Sequence, residues 1–210
     1  MRKGWIETTL GEIVSSEKGK KPRQLSDDPS TGLPYLTADV LRGGACKKFV
    51  PSEFLEGCVT LDSSETIILW DGAGAGDVFP SEIGILASTM AKLTSRDNTT
   101  LQNEFLCLAV ERAVPDIKAT CRGTTVPHVS PQALSDLKFR LPPIIEQKRI
   151  VDLISSIDAY LSSLSEASTA LEAPGGLIRS AHDLRTSLLV ELLSGENQIP
   201  DSYDEYLGQM

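Results

Sequence analysis

No stretch of 18 or more apolar residues occurs in the 210-residue chain, so no helix in it is built to cross a membrane. Nor does an apolar signal core follow the start. Met1-Arg2-Lys3-Gly4-Trp5 leads into Glu7 and Thr8, which reads as a chain without a secretory signal. Cysteine is sparse: Cys46, Cys58, Cys107 and Cys121 contain no C-x-x-C pair and read as reduced thiols of a cytoplasmic protein, not as a disulfide frame. The only histidines, His128 and His182, lie too far apart for a local His/Cys metal cage. No G-x-S-x-G nucleophile elbow occurs, and spacing argues for no paired-carboxylate site. Internal repeats and low-complexity tracts are absent too. What is there is an ordinary soluble composition, 40% apolar and 23% charged, enough for a real core in one large domain or one domain with an appendage.

The net charge of −9 argues at first against nucleic acid, but it is unevenly placed. Residues 1–141 carry 16 Lys/Arg and 18 Asp/Glu, whereas 142–210 carry 4 and 11. Two segments are locally basic. Lys18 to Lys48 holds Lys18, Lys20, Lys21, Arg23, Arg42, Lys47 and Lys48 against three aspartates. Lys118 to Arg149 holds six cations against two anions. Folded together, they would give a positive face able to meet phosphates; left apart, they are a mixed solvated surface.

Along residues 1–141 the pattern is mixed. Residues 5–14 read as a short strand and a turn of helix, 15–34 as polar loop, and 35–41 as a short apolar segment. Thr66 to Trp70 is β-branched and apolar, a buried strand. Asp71-Gly72-Ala73-Gly74-Ala75-Gly76-Asp77 then breaks the chain sharply. Ile83 to Leu93 reads as further strand, Gln102 to Val114 as helix, Gly123 to Val129 as loop or short strand, and Leu134 to Leu141 as a half-buried strand.

After Pro142-Pro143 the character changes. Ile144 to Glu172 contains neither Gly nor Pro, and Ile150, Ile154, Ile157, Leu161, Leu164 and Leu171 recur at alternating steps of four and three, with Ser168 in the one gap. That is the a/d stripe of helix-on-helix packing. Pro174-Gly175-Gly176 ends it. A second amphipathic segment places Leu177, Ala181, Leu184, Leu188 and Leu192 on one face and ends at Ser194-Gly195, with Gly195 as the C′ residue. Residues 196–210 read as an acidic tail.

The glycine run is the most tempting catalytic signal. Its spacing is G-x-G-x-G rather than G-x-G-x-x-G, and Pro80 with strand-like residues follows where a phosphate-binding helix should start. It therefore reads as a tight strand-to-strand turn. The segment with Arg122, Thr124, Thr125, His128 and Ser130 is dense in donors suited to phosphates or base edges.

Four segments, in order, resemble the DNA-specificity subunit of type I restriction–modification systems, in a half-length form. They are Trp5 with Leu10-Gly11-Glu12-Ile13; Leu33-Pro34-Tyr35-Leu36-Thr37-Ala38-Asp39-Val40; Gly123-Thr124-Thr125-Val126-Pro127-His128-Val129 followed by Leu134 and Leu137; and, most specific, Leu141-Pro142-Pro143-Ile144-Ile145-Glu146-Gln147-Lys148-Arg149-Ile150-Val151. The resemblance implies an α+β protein. A mixed α/β target-recognition domain spans 1–141. A long conserved spacer helix and a second, shorter helix, in antiparallel coiled-coil-type pairing, span 142–195; the acidic tail is 196–210. It also implies a non-catalytic subunit that reads double-stranded DNA. Adenine methyltransferase subunits would carry S-adenosylmethionine and the chemistry, and an ATP-dependent subunit would restrict. The lack of an Asn-Pro-Pro-Tyr methyltransferase tetrapeptide agrees with that division. Family members usually carry two recognition domains and two spacer helices; this chain has one of each. The expected assembly is therefore a homodimer, or a pair with another half-length subunit, joined through Ile150, Ile154, Ile157, Leu161, Leu164 and Leu171. Charge and loop position, not the resemblance, nominate Lys18, Lys20, Lys21, Arg23, Lys47, Lys48, Lys118, Arg122, Thr124, Thr125 and His128 as DNA contacts. Two other readings stay open: a helical protein-interaction adaptor that never touches DNA, and an enzyme using the Gly72–Gly76 turn.

Overall fold

The structure is a computed structural model that describes residues 4–121, 126–171, 176–197, 199–200 and 203, with side chains left out for 166–171 and 176–178. The chain divides into two compact units, Thr8–Phe139 and a second made of 1–7 with 140–210.

In chain order the elements are β1 (Ile6–Thr9), α1 (Leu10–Ile13), β2 (Val14–Lys18), β3 (Gly32–Leu36), α2 (Ala38–Leu41), β4 (Phe49–Pro51), β5 (Thr60–Leu61), β6 (Thr66–Leu69), β7 (Val78–Pro80), β8 (Gly84–Leu86), β9 (Met90–Ser95), α3 (Asn103–Thr120), α4 (Pro131–Ser135), β10 (Lys138–Leu141), α5 (Ile144–Leu171) and α6 (Gly176–Ser194). Two four-stranded sheets form, β2-β9-β6-β7 and β4-β3-β8-β5, and β1 pairs with β10. The first sheet is antiparallel throughout; in the second, β3 and β8 run parallel.

The sheets form where the residue pattern demands cover on both faces. All four residues of β6 are buried, which suits a strand with neighbours on both edges and an unbroken apolar run. Leu36, Leu61, Ile67, Phe79, Leu86 and Met90 meet in one cluster. Helix α3 buries Phe105, Leu106, Ala109, Val110, Ala113 and Ile117 along one face, and the Phe105 ring meets Phe139 edge-on at 6.3 Å.

Several expectations from the sequence differ from this architecture. The segment 134–141 is not one strand: Ser130 accepts the Ala133 N–H, Pro131 fits the first turn, and α4 forms before β10 starts at Lys138. Residues 83–93 split into β8 and β9. The helix expected to stop at Val114 runs through the exposed Pro115 to Thr120, because Ile117 continues its buried face. The polar stretch 15–34 contains most of β2 and the start of β3.

The second unit contains a helical hairpin. At ~1.5 Å per residue the 28 residues of α5 extend about 42 Å. Helix α6 runs back along α5, and Arg185 Nε and Nη2 both donate to the Asp158 carboxylate, the second at 3.0 Å. Ile150, Ile154 and Leu161 of α5 and Leu189, Leu192 and Leu193 of α6 are buried. Three of the six residues expected at an interface between chains, Ile150, Ile154 and Leu161, are thus buried within the single chain. Ile157 and Leu164 are half-buried, and the Leu171 side chain lies outside the described residues. On α6, Leu184 is 69% exposed, so the face read from the sequence is shared between core and solvent. The helix ends at Ser194, and Gly195 takes φ +73° as a C′ glycine.

Candidate nucleic-acid interface

The glycine turn proves to be the centre at which the basic segments meet. Strand β6 ends at Leu69 and β7 starts at Val78. Between them the Leu69 N–H donates to the Asp77 carbonyl and the Gly76 N–H to the Leu69 carbonyl, both at 2.8 Å. Gly72 and Gly76 take φ of +114° and +93°, backbone that a side chain resists. An aspartate stands at each end; Asp71 takes one cation and Asp77 two, all from distant parts of the chain.

At one end, Lys18 Nζ, from the last residue of β2, donates to Asp71 Oδ2 at 2.7 Å. The segment carrying His128 is laced to the same place. The Gly72 N–H donates to the Pro127 carbonyl and the Val129 N–H to the Trp70 carbonyl, each at 2.9 Å, so Asp71 and His128 form an antiparallel bridge. At the other end, Arg42 Nη2 meets Asp77 Oδ2 at 2.5 Å and Lys118 Nζ meets Asp77 Oδ1 at 2.6 Å. The Arg42 guanidinium also lies over the Phe79 ring, 5.4 Å from its centroid. Lys118 sits in the last turn of α3, where the helix dipole favours a cation. Burial opposes the charge on Asp77, but the hydrogen bonds from Lys118 and Arg42 prevail and hold its carboxyl below the ordinary value.

Of the residues nominated from the sequence, the fold thus gathers Lys18, Lys118 and His128 around one turn. Lys48 bonds Asp27 Oδ1 at 2.7 Å instead. Lys20, Lys21, Arg23 and Lys47 are exposed, and no hydrogen bond or ion pair among the described residues joins them to the turn. Arg122, Thr124 and Thr125 lie outside the described residues. The sequence reading missed Arg42, Asp71 and Asp77 as a set. Its one available signal was the pair of aspartates bracketing the glycines. Close by in the same unit, Leu10, Trp70, Leu93, Arg96 and Leu134 line a half-open cleft of about 130 Å³. Among the described residues no three of His, Cys, Asp and Glu gather into a metal site, and no helix is long and apolar enough to cross a membrane.

The family segments also acquire physical reasons. The Trp5 indole N–H donates to Glu146 at 3.0 Å, and the buried Gln147 donates to the Pro142 carbonyl at 2.9 Å. Leu10 is buried, its N–H donates to the Leu137 carbonyl at 2.9 Å, and a Cβ on Gly11 would lie 2.0 Å from Ser135 Oγ.

Comparison with known proteins bears on the family and the fold. Residues 2–173 match the family described as the type I restriction modification DNA specificity domain. A type I restriction enzyme MjaVIII specificity subunit from Methanocaldococcus jannaschii is 32% identical over 163 residues, 77% of this chain and 38% of that protein. Among solved structures, the HsdS subunit from Thermoanaerobacter tengcongensis superimposes with TM-score 0.61 at 18% identity, over 94% of this chain and 46% of that one. The S subunit from M. genitalium gives TM-score 0.58 at 18% identity, over 77% and 41%. The chain spans less than half the length of each of these relatives. With the family model covering most of its length, the chain belongs to the type I restriction–modification DNA specificity family.

Proposed function

We propose that the chain is the DNA-reading subunit of a type I restriction–modification complex and catalyses nothing itself. In this reading it directs adenine methyltransferase subunits, and an ATP-dependent restriction subunit where one is present, to a bipartite target. S-adenosylmethionine is held by the methyltransferase and not by this chain, and the complex works in the cytoplasm on the nucleoid. The observation that carries the reading is the meeting of Lys18, Arg42, Lys118 and His128 around one turn in an otherwise acidic protein. Lys18, Arg42 and Lys118 so grouped supply the salt-dependent contact with phosphates, and neighbouring loops read base edges.

Two copies, or this chain with a second half-length subunit, would supply two readers. Beside the buried residues of the expected stripe, α5 offers a further apolar surface for that pairing. Leu153, Ile157, Tyr160 and Leu164 follow i, i+4, i+7, i+11 spacing beside the buried stripe, and Tyr160 is 63% exposed. Two identical readers fit an interrupted palindrome, since half-sites one helical turn apart lie ~34 Å from each other. Sedimentation of the wild type and of Tyr160→Glu tests the pairing: a dimer converted to monomer is expected, and a wild-type monomer in the presence of the methyltransferase overturns it.

The same exposed apolar residues on the helices favour the alternative of a protein-interaction adaptor. Mobility shifts on random duplex at low salt, with methyltransferase present, separate the two. The decisive test of the whole reading is the adenine methylome of a host with and without this chain. A bipartite motif should appear and vanish with it; an unchanged methylome in a host holding the methyltransferase overturns the assignment.

A further inference from the structure

We propose that Arg42 and Lys118 form a binding site for one backbone phosphate of DNA, and that Asp77 stands behind them, holds them together and limits their net charge. The proposal rests on the DNA-reading function above and adds to it a site and a device that limits indiscriminate binding.

Three observations carry it. First, two cations from segments 76 residues apart converge on one carboxylate, with separate oxygens serving Arg42 and Lys118. A phosphodiester offers the same pair of acceptor oxygens. Second, the cations stand in front and the carboxylate behind. The side chains of Arg42 and Lys118 are 44% and 47% exposed, that of Asp77 25%. Their remaining N–H donors therefore reach solvent, while Phe79 supports the guanidinium from below. Third, the turn is shaped around the cluster. A Cβ at Gly74 would lie 2.6 Å from Asp77 Oδ2 and 2.7 Å from Arg42 Nη2, and one at Gly76 would lie 2.9 Å from Lys118 Cγ. The glycines that resemble a nucleotide loop are spent on admitting these side chains.

Charge then sets the behaviour. Two cations and the Asp77 carboxylate leave net +1 at the centre of the cluster, with Asp39 outside it as a solvent-exposed carboxylate 3.9 Å from Arg42 Nη1, so the centre neutralises a single phosphate. Each phosphate neutralised contributes about 0.9 to the slope of log K against log salt on duplex DNA. The cluster with Asp77 held neutral carries two charges and grips any duplex more tightly, so the carboxylate keeps affinity for arbitrary sequence down. Asp77 is in this sense a positioning and moderating residue, not a base reader.

The test is a salt titration of binding to random-sequence duplex by fluorescence anisotropy, with the full chain in complex with its methyltransferase subunits. Arg42→Gln and Lys118→Gln are each expected to make the slope shallower by about 0.9, and Asp77→Asn to make it steeper by about 0.9. Asp77→Asn combined with Lys118→Gln should return to the wild-type slope, which also shows that the turn still folds. Glu53→Gln, an equal change of charge at an exposed residue, should leave the slope alone. A slope unmoved by Asp77→Asn, or moved as much by Glu53→Gln, overturns the site while leaving the DNA-reading function intact. Failure of the wild-type complex to bind duplex even at low salt overturns that function, and the site with it.

Discussion

The two units of the chain solve opposite problems. In Thr8–Phe139 charge is the organising feature. Lys18, Arg42 and Lys118 arrive from remote segments and are matched, one or two at a time, to aspartates on the glycine turn. In the helical unit the organising feature is aliphatic periodicity, and Ile150, Ile154 and Leu161 of α5 and Leu189, Leu192 and Leu193 of α6 are buried. The difference teaches where each kind of information lives. A stripe on a helix is local and is satisfied by whichever helix reaches it first, here α6 of the same chain. An ion cluster is non-local and exists only once the sheets have formed.

The sharpest way to break this comparison is to remove a core side chain from each unit. Phe105, fully buried beside Phe139, should cost about 3–5 kcal/mol as Phe105→Ala. Leu161→Ala should cost about 2–5 kcal/mol, while Tyr160→Ala, one residue away and exposed, should stay within about 0.5 kcal/mol where the chain is monomeric. Urea unfolding measures all three. Equal effects at 160 and 161 would mean that the stripe is not covered within the chain.

Glycine sharpens the contrast at smaller scale. Gly195 and Gly43 both hold left-handed backbone, at φ +73° and +91°. An added Cβ at Gly43 meets open space, whereas at Gly195 it lies 3.3 Å from the Trp5 ring. Gly43→Ala should therefore show the strain alone, about 1–2 kcal/mol, and Gly195→Ala visibly more in the same thermal melts. Thr66 offers the reverse sign. Its side chain is fully buried in β6 and its hydroxyl has no hydrogen-bond partner among the described residues, so Thr66→Val should stabilise by about 1 kcal/mol. A loss of stability there would reveal an acceptor for that hydroxyl.

Much of the helical unit was legible because its signals are periodic and close in sequence. The breaks at Pro142-Pro143 and at residues 174–176, the apolar steps and the terminal Gly195 are all local features. The family segments were legible as patterns, but their reasons were not. That Trp5 bonds Glu146, 141 residues away, follows from the fold alone. The same limit hid the ion cluster. Lys18, Lys118 and His128 could be nominated from charge and loop position, but the partners that turn them into a site are brought together by strand pairing of β6 with β7 and β9. The long stripe has a related limit: periodicity says that a partner helix exists and is silent on whose it is.

The smallest expected effect is in the pH dependence of stability, and it sets Asp77 against Lys92 within the sheet unit. The Asp77 carboxyl is held below its ordinary value because the bonds from Lys118 and Arg42 outweigh its burial. A depressed pKa means that the unfolded chain takes up the proton first. The stabilisation is therefore complete above the ordinary carboxylate range near pH 4 and is lost as pH falls through the folded value. Lys92 behaves as the mirror image. Burial lowers its pKa, but the bond to Glu65 at 2.9 Å prevails and raises it. Its contribution is complete below about pH 10.4 and is lost as pH climbs through the raised value. Urea midpoints followed across pH should thus show Asp77→Asn flattening the acid limb only and Lys92→Gln the alkaline limb only. An acid limb unchanged by Asp77→Asn would mean that the carboxylate is no better held folded than unfolded, and the glycine turn would then be a connector rather than a charged hub.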